Sequence, residues 1–172
     1  MKLTIKVKLF NENCKFNSFK KGEWIDLRSS QTISYSKPYA NVLTKNRTRR
    51  TVEFDYVNIP LGIGMQLPEG YEAIIAPRSS TFKSFKLIQR NSPGIIDYLY
   101  RGSNDEWHFL GIAYDDNTVS EGDRICQFRI QLSQKATIWQ KIKWLFTNKI
   151  EFKFVDDYTG ENRGGFGTTG IK

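Results

Sequence analysis

The chain has 172 residues, of which 39% are hydrophobic, a length that suits one domain with a buried core and is too short for two. No apolar run approaches the roughly 20 residues of a membrane-spanning helix, and the first residues alternate in polarity, so we expect a cytoplasmic protein. Two cysteines and one histidine argue against a structural zinc site and favour free thiols. The formal net charge of +8 favours a polyanionic ligand, either nucleic acid or a nucleoside triphosphate.

Eight segments have the residue pattern of β-strands, and Pro, Gly, Asn and Asp separate them at short intervals. The predicted strands are residues 3–9, 32–36, 51–57, 61–67, 71–77, 107–114, 125–132 and 149–155. Many short strands with little helix predict an all-β barrel or sandwich. No linker divides residues 1–172, so we expect a single domain.

The segment 36–51 interrupts the strand pattern because it is polar and basic, and we expect an exposed loop or hairpin there. Its basic cluster consists of Lys45, Arg47, Arg49 and Arg50. A cluster of this kind in a loop is usually solvated, so it gives only weak support to nucleic-acid binding.

A second insertion, near residues 133–150, contains apolar residues at helical spacing. They are Ile138, Trp139, Ile142, Leu145 and Phe146. The spacing predicts a short amphipathic helix over 136–147. We favour the interpretation that its apolar stripe packs onto the barrel of its own chain. A contact between subunits or with a partner protein is the alternative, because an exposed stripe with tryptophans would be an interaction surface.

The stretch 91–102 combines turn formers with a short apolar run and then presents a carboxylate, Asp97, and an aromatic ring, Tyr100. A tight hairpin of this kind exposes backbone N–H and C=O groups that can read the edge of a flat polar ring. Taken alone, the pattern is equally that of an ordinary β-hairpin.

The stretch 76–83 ends a strand at Pro77 and then presents a guanidinium group, three hydroxyl groups and an ammonium group. The first of these side chains are Arg78, Ser79 and Ser80. Such a set suits phosphate oxygens, particularly at the start of a helix. A simple Ser/Thr helix cap is the alternative.

Three further stretches contain polar residues in suggestive settings. Residues 22–28 place Asp26 between apolar neighbours, and residues 121–128 place Gln127 on a strand, where an inward-facing amide requires a hydrogen-bond partner.

Residues 160–170 contain five glycines and cannot hold one shape unaided. This flexible C-terminal arm, 160–172, has the groups of a lid over a phosphorylated aromatic, although simple fraying is the alternative. Those groups are Arg163, Phe166, Thr168 and Thr169.

Together and in this order, the five stretches resemble the five motifs of trimeric dUTPases, most closely those of Gram-positive bacteria and their prophages. Motif three reads Gly94-Ile95-Ile96-Asp97, followed by Tyr100, Arg101 and Gly102. Motif two reads Pro77-Arg78-Ser79-Ser80, and motif four reads Gly122-Asp123-Arg124-Ile125 followed by Gln127. The resemblance extends from residue 22 to residue 170, interrupted by the two insertions.

The resemblance implies a jelly-roll-like β-barrel that assembles as a homotrimer with three active sites at subunit boundaries. Motifs one, two and four, motif three, and motif five would then come from different subunits at each site. The implied reaction is the hydrolysis of dUTP to dUMP and pyrophosphate, with Mg²⁺ on the triphosphate.

The resemblance also implies roles for individual residues. Asp97 would act as general base on the attacking water, together with the catalytic groups Gln127 and Arg163. The hairpin backbone around Asn91, Gly94 and Ile96 would read the uracil edge, and Tyr100 would pack on the deoxyribose. Arg78, Ser79, Ser80 and Gln127 would hold the phosphates, and Asp26 would lie on the metal side, through bound water. Arg163, Thr168 and Thr169 would close on the γ-phosphate.

The sequence departs from the family pattern at two motifs. Motif one usually has Ala-Gly before its variable residue and aspartate, whereas Glu23-Trp24-Ile25 precede Asp26 here. Motif five is two residues shorter than usual between Arg163 and Phe166, which puts the reach of the phenylalanine ring in doubt. His108 is therefore a second candidate for the ring that stacks on uracil, and an ordinary strand histidine is the alternative.

Two other functions compete with dUTP hydrolysis. A dCTP deaminase shares the fold, but its catalytic glutamate has no counterpart in phase here, because Trp107 takes that neighbourhood and Glu106 is displaced. A phage regulatory protein that grips a repressor through the two insertions is the other candidate, and it is compatible with catalysis. Nucleic-acid binding is supported by charge alone.

Overall fold

The computed structural model of the chain describes residues 1–17, 19–42 and 50–164. Strands dominate this part of the molecule, and the helices are short. The strands are β1 Lys2–Leu9, β2 Phe19–Lys20, β3 Ile25–Arg28, β4 Ile33–Tyr35, β5 Tyr39–Val42, β6 Arg50–Glu53, β7 Tyr56–Pro60, β8 Ile63–Gln66, β9 Tyr71–Pro77, β10 Leu87–Gln89, β11 Gly94–Ile96, β12 His108–Ala113, β13 Asn117–Val119, β14 Arg124–Leu132 and β15 Lys149–Val155. The helices are α1 Thr81–Phe85, α2 Ile138–Leu145 and the 3₁₀ turn Glu12–Cys14.

The strands are arranged in sheets that enclose one core. The three larger sheets have the strand orders β2-β15-β1-β8, β10-β12-β7 and β11-β9-β14-β3, and the pairs β13-β4 and β5-β6 complete the set. The predicted all-β class is confirmed. The hydrogen-bonded strands of the described ranges form these separate sheets and do not close into one continuous barrel.

The core follows from strand alternation. In β1, Leu3, Ile5 and Val7 are buried while the residues between them are exposed, and β1 runs parallel to β15, the last strand. Trp107 and Phe128 meet edge to face at the centre, with ring centroids 5.4 Å apart. Burying each such side chain contributes about 1.5–3 kcal/mol, and the shared core holds the separate sheets together.

Most predicted strands are confirmed, and one is wrong in its bounds. The predicted strand 51–57 is divided, because the chain turns at Phe54 and Asp55 between β6 and β7. The Asp55 carboxylate accepts the N–H of Ser36 after β4, and the Asp55 carbonyl accepts the N–H of Ala113 at the end of β12, the partner strand of β7. The hairpin predicted in the first insertion is confirmed as the antiparallel pair β5-β6. Residues 43–49, with most of the basic cluster, lie outside the described part.

The helix predicted over 136–147 is confirmed as α2, but its orientation differs from the favoured interpretation. Thr137 caps the helix, and its hydroxyl accepts the N–H of Gln140 while the Gln140 side chain accepts the N–H of Thr137. The predicted apolar stripe faces away from the body: Ile138 is 64% exposed, Trp139 76% and Leu145 75%. Packing of this stripe on the chain's own barrel is therefore wrong.

The opposite side of α2 attaches the helix to the body. The Trp144 ring meets the Tyr71 ring edge to face at 5.7 Å, and the Lys21 ammonium lies 4.8 Å from the Trp144 ring centroid. Gln140 donates through Nε2 to the Glu69 carbonyl at 2.7 Å. These contacts lie about one helical turn apart and fix which side of α2 faces inward.

The two cysteines are free, as the sequence predicted, and both are buried. Burial raises the pKa of Cys14 to about 11 and also raises the pKa of Cys126, so both thiols stay protonated at neutral pH. Among the helices that the structure describes, none is both long enough and apolar enough to cross a bilayer.

Candidate active site

The sheet β11-β9-β14-β3 brings motifs one, two and four together. In the register of this sheet, Gln127 of β14 lies opposite Ala76 of β9 on one side and opposite Asp26 of β3 on the other. Arg78 follows two residues after Ala76, just past the end of β9. Three of the residues assigned to the phosphates and the metal side therefore lie at one end of this sheet, as expected.

Asp26 is held between two guanidinium groups. Arg78 donates through Nε to Oδ1 at 2.8 Å, and Arg124 donates through Nη1 to Oδ2 at 3.0 Å. Arg78 also donates to the Arg124 carbonyl at 3.2 Å, which ties the start of β14 to the turn after β9. These charge-assisted bonds orient both arginines on the sheet surface. Arg124 was not assigned a role from sequence, although it lies within motif four.

The turn after β9 is fixed by Thr81, not by the serines. The Thr81 hydroxyl accepts the Arg78 N–H at 2.8 Å and donates to the Ile125 carbonyl at 2.8 Å, and the side chain is fully buried. Ser80 is the N-cap residue of α1, but its side chain makes no capping bond and instead accepts a bond from Arg78 at 3.3 Å. Ser79 is exposed. The simple serine-cap alternative is therefore wrong, and the Ser80 hydroxyl lies beside the arginine.

Gln127 has the partner that an inward amide requires, because its Nε2 donates to the Pro77 carbonyl at 3.2 Å. Its side chain is half-buried between β9 and β3. This bond fixes the orientation of the Gln127 amide and therefore the direction in which its oxygen points.

The hairpin of motif three is supported by a residue that the sequence reasoning missed, Gln89. It is only 5% exposed, and its Nε2 donates to the Ile75 carbonyl at 3.2 Å. Gly94 lies opposite Ile75, and a Cβ at Gly94 would lie 3.0 Å from Gln89 Nε2, so the close packing favours glycine there. Asn91 is exposed at the turn, and Ile96 is half-buried. A lone glutamine in an apolar strand was the available signal.

Asp97 follows β11 and is half-exposed. Its Oδ1 accepts the Leu99 N–H at 2.8 Å, and its Oδ2 accepts Nη1 of Arg163 at 2.5 Å. The Tyr100 hydroxyl donates to the Glu106 carbonyl at 2.8 Å. Burial raises the pKa of Tyr100 to about 12, so the phenol remains a neutral donor. The structure thus brings together the predicted base and the predicted arm arginine.

His108 shares an acceptor with Tyr100, because both side chains donate to the Glu106 carbonyl. His108 begins β12 in a different sheet, and its Nδ1 donates to the Glu106 carbonyl at 3.0 Å. Burial lowers the pKa of His108 below its usual value, which keeps the ring neutral at pH 7. Phe166, Thr168 and Thr169 lie outside the described residues.

Asp97 and Arg78 of one chain lie at opposite ends of β9. Ile96 pairs with Ala73, so Asp97 lies near the start of β9, whereas Arg78 follows its end. Six residues of strand at about 3.3 Å each put these side chains about 20 Å apart.

Two separate surface clefts agree with the distance between Asp97 and Arg78. A cleft of about 400 Å³ is lined by Arg78, Gln89 and Ser92, among others, and a second of about 360 Å³ is lined by Asp97 and Tyr98. Neither cleft is lined by both Arg78 and Asp97.

The profile of the dUTPase family matches residues 42–169 of this sequence. The chain belongs to the dUTPase family. It is 37% identical over 171 residues to the SPbeta prophage-derived deoxyuridine 5′-triphosphate nucleotidohydrolase YosS of Bacillus subtilis, covering 99% of this chain and 100% of the relative. It is also 37% identical to the deoxyuridine 5′-triphosphate nucleotidohydrolase of Finegoldia magna, over 65% of this chain and 69% of that protein.

Solved dUTPases share the fold at low sequence identity. A point variant of the dUTPase from phage phi11 of S. aureus superposes with a TM-score of 0.56 at 16% identity, over 78% of this chain and 94% of that one. The dUTPase of Streptococcus mutans superposes with a TM-score of 0.54 at 19% identity, over 77% and 98%. The structure of the phi11 variant concerns the coordination of a structural Mg(II) ion.

The donor set of this dUTPase suits an indirect contact with Mg²⁺. In the described ranges no group of three or more His, Cys, Asp or Glu side chains converges as a metal site. Asp26 is the carboxylate beside Arg78 and Arg124, and a guanidinium group donates to each of its oxygens. Mg²⁺ usually keeps several waters and takes one or two carboxylates plus substrate phosphates, which fits Asp26 as an outer contact through water.

Proposed function

We propose that this dUTPase hydrolyses dUTP to dUMP and pyrophosphate, with Asp97 activating the attacking water. The observation that carries the proposal is the full-length likeness to the prophage-derived dUTP nucleotidohydrolase of Bacillus subtilis. The grouping of Asp26, Arg78 and Gln127 at one end of a sheet adds a chemical reason, because these groups suit a phosphate chain.

Asp97 acts as the general base. Its carboxylate is half-exposed and can accept a proton from water that attacks the α-phosphorus in line with the leaving pyrophosphate. Arg163 pairs with the carboxylate when the substrate is absent. With dUTP bound, the guanidinium group turns to the γ-phosphate and stabilises the charge that develops on the leaving group. Thr168 and Thr169 of the arm add hydroxyl donors to the same phosphate.

The phosphate chain lies along the side chains at the end of β9 and the start of β14. Arg78, Arg124 and Gln127 donate to phosphate oxygens, and the Ser80 hydroxyl lies next to Arg78. Ser79, the neighbouring exposed residue, adds a second hydroxyl. Mg²⁺, when bound, neutralises charge on the triphosphate. Asp26 would hold that ion through bound water.

The hairpin selects the base and the sugar. Backbone groups around Asn91, Gly94 and Ile96 pair with the uracil edge, and Tyr100 packs on the deoxyribose where a ribose hydroxyl would clash. The stacking ring over the uracil is either Phe166 or His108.

A second chain completes the site, because Asp97 and Arg78 of one chain are about 20 Å apart along β9. By the family resemblance the assembly is a homotrimer with three sites at its subunit boundaries. We expect it to act in the cytoplasm.

Pyrophosphate release tests the proposal. The substrates are dUTP, dTTP, UTP and dCTP, with and without Mg²⁺. We expect a strong preference for dUTP and a requirement for Mg²⁺. The variant Asp97→Asn should lower kcat by about 10²–10⁴-fold, the usual contribution of a general base. The control Asp116→Asn, at an exposed carboxylate paired with Lys37, should leave kcat unchanged.

The competing deaminase reaction is decided in the same assay by ammonia release from dCTP. Glu106 accepts the Gly62 N–H through Oε1 at 2.8 Å, and Trp107 is fully buried, so neither presents a group to a cleft substrate. Ammonia release from dCTP without pyrophosphate release from dUTP would overturn the proposed hydrolysis.

A further inference from the structure

The outward side of α2 carries a continuous apolar surface, which we call the α2 stripe. At about 3.6 residues per turn its five members fall on one side of the helix. Phe146 is 62% exposed, and Trp139 and Leu145 are more exposed still. Large apolar side chains that stay together in water mark a contact surface. The members of the α2 stripe are Ile138, Trp139, Ile142, Leu145 and Phe146.

The α2 stripe is held outward, because the other side of the helix is already occupied. Trp144 packs edge to face on Tyr71, and Gln140 donates to the Glu69 carbonyl at 2.7 Å. The capping box at Thr137 fixes the first turn. Turning the stripe toward the core would break all of these contacts. The exposed position of the stripe is therefore a property of the folded chain.

Lysines border the α2 stripe on both sides. The helical spacing places Lys141 along one edge of the stripe and Lys143 along the other, and both are exposed. Residues 133–150 contain four lysines and no aspartate or glutamate. Lysine stems can lie along an apolar surface while their ammonium groups reach a polar layer. An apolar stripe between lysines is typical of helices that lie in the headgroup region of a membrane.

The neighbouring sheet adds positive charge at the C-terminal end of α2. Lys149 of β15 lies between Lys2 of β1 and Lys20 of β2 in the strand register. The N-terminal amine donates to the Phe146 carbonyl at 3.0 Å, so this row of lysines begins where the helix ends. Lys2 is paired with the Glu151 carboxylate at 3.0 Å, and the row still has an excess of positive charge. The surface around the stripe thus suits an anionic ligand.

We propose that the α2 stripe and its bordering lysines bind the surface of an anionic lipid bilayer, with α2 in the headgroup region and the sheets in water. A bilayer surface satisfies both features at once, because its acyl boundary accepts Trp139 and Leu145 while its phosphates attract the lysines. Nucleic acid would use the lysines and leave the aliphatic side chains of the stripe without a partner. The association is independent of the proposed dUTP hydrolysis.

Vesicle sedimentation with the full-length protein tests the proposal. The vesicles contain phosphatidylcholine alone or phosphatidylcholine mixed with phosphatidylglycerol. We expect the mixed vesicles to bind the protein at least about tenfold more tightly than the neutral ones, and salt to weaken this binding. Equal binding to both, or no sedimentation with the mixed vesicles, would overturn the proposal. Binding to a single-stranded oligonucleotide and to neither vesicle would assign the lysines to nucleic acid instead.

The apolar part of the contact is tested by the double variant Trp139→Ser, Leu145→Ser. It should lower the partition coefficient on mixed vesicles about tenfold or more, because it removes the two most exposed apolar side chains of the stripe. The control Tyr114→Ser, at a ring that is 59% exposed outside α2, should leave binding unchanged. Unchanged binding of the double variant would mean that charge alone holds the protein, which contradicts the proposal.

The basic part of the contact is tested by Lys141→Gln. Loss of one lysine near an anionic surface should lower the partition coefficient about fivefold. The control Lys37→Gln removes the same charge from an exposed lysine that pairs with Asp116, and it should have no effect. Equal losses in both variants would indicate attraction by net charge and would overturn the assignment to α2. This comparison also decides the question if the double serine variant does not fold.

Light scattering without lipid distinguishes a membrane contact from a contact between subunits. The double variant Trp139→Ser, Leu145→Ser should have the same assembly mass and the same dUTP hydrolysis as the wild-type protein. A lower assembly mass would mean that another copy of the chain covers the α2 stripe, and the membrane proposal would then be wrong.

Discussion

Two residues, His108 and Phe166, are the candidates for the ring that stacks on uracil. Loss of a stacking ring lowers the binding free energy of the base by about 1–3 kcal/mol. We expect His108→Ala or Phe166→Ala to raise KM for dUTP about tenfold with a smaller change in kcat. Steady-state kinetics of both variants decide between them, and an unchanged KM in both would exclude the lid hypothesis.

The pH dependence of that effect distinguishes stacking from charge. Burial lowers the pKa of His108, so its ring is already neutral at pH 7 and remains neutral at higher pH. If His108 stacks, the ratio of variant to wild-type KM should therefore be constant from pH 7 to pH 8. A ratio that falls with rising pH would indicate a charged imidazolium contact.

The supporting residues of the site could be predicted less well than the motif residues. Gln127 and Asp26 were identified because they belong to motifs. Arg124 holds Asp26, Thr81 holds the backbone of Arg78, and Gln89 supports the motif-three hairpin through the Ile75 carbonyl. The partners of these three residues lie on other elements or turns. Which strands are neighbours depends on sheet order and register, which a local pattern of residues does not contain.

At the level of elements, α2 is attached by one side and exposed on the other. Trp144 contacts Tyr71 and Lys21, whereas Trp139 is mostly exposed. We expect Trp144→Ala to lower the free energy of unfolding by about 2 kcal/mol, because it removes a half-buried aromatic contact.

The matched variant Trp139→Ala should change stability by less than about 0.5 kcal/mol, as is usual for exposed positions. Melting temperatures at one fixed protein concentration compare the two, because association can shift them. Equal losses in both variants would mean that another surface covers the exposed side of α2 in solution.

Strands and the helix were predictable as elements because alternation and helical spacing are local properties. The orientation of α2 was not, because it depends on Gln140 meeting the Glu69 carbonyl and on Trp144 meeting Tyr71. Both partners come from a segment about 70 residues earlier in the chain. An amphipathic pattern shows that a helix has two sides, and tertiary contacts decide which side faces inward.

At the level of the whole molecule, the division of the site predicts that activity depends on association. Asp97 and Arg78 lie at opposite ends of β9. With the roles proposed for them, a single chain would present either the base or the phosphate site to a given nucleotide. Light scattering should give three times the chain mass in active samples. Specific activity should fall on dilution together with that mass, by mass action. A constant specific activity in samples of single-chain mass would contradict a shared site.

The strand register of β9 has a consequence for how such an enzyme is controlled. If Asp97 and Arg78 act as proposed, an isolated newly made copy would be inert, and catalysis would begin only when copies become numerous enough to associate. We would then expect the onset of hydrolysis to follow the copy number in the cell more steeply than it would for a self-sufficient chain.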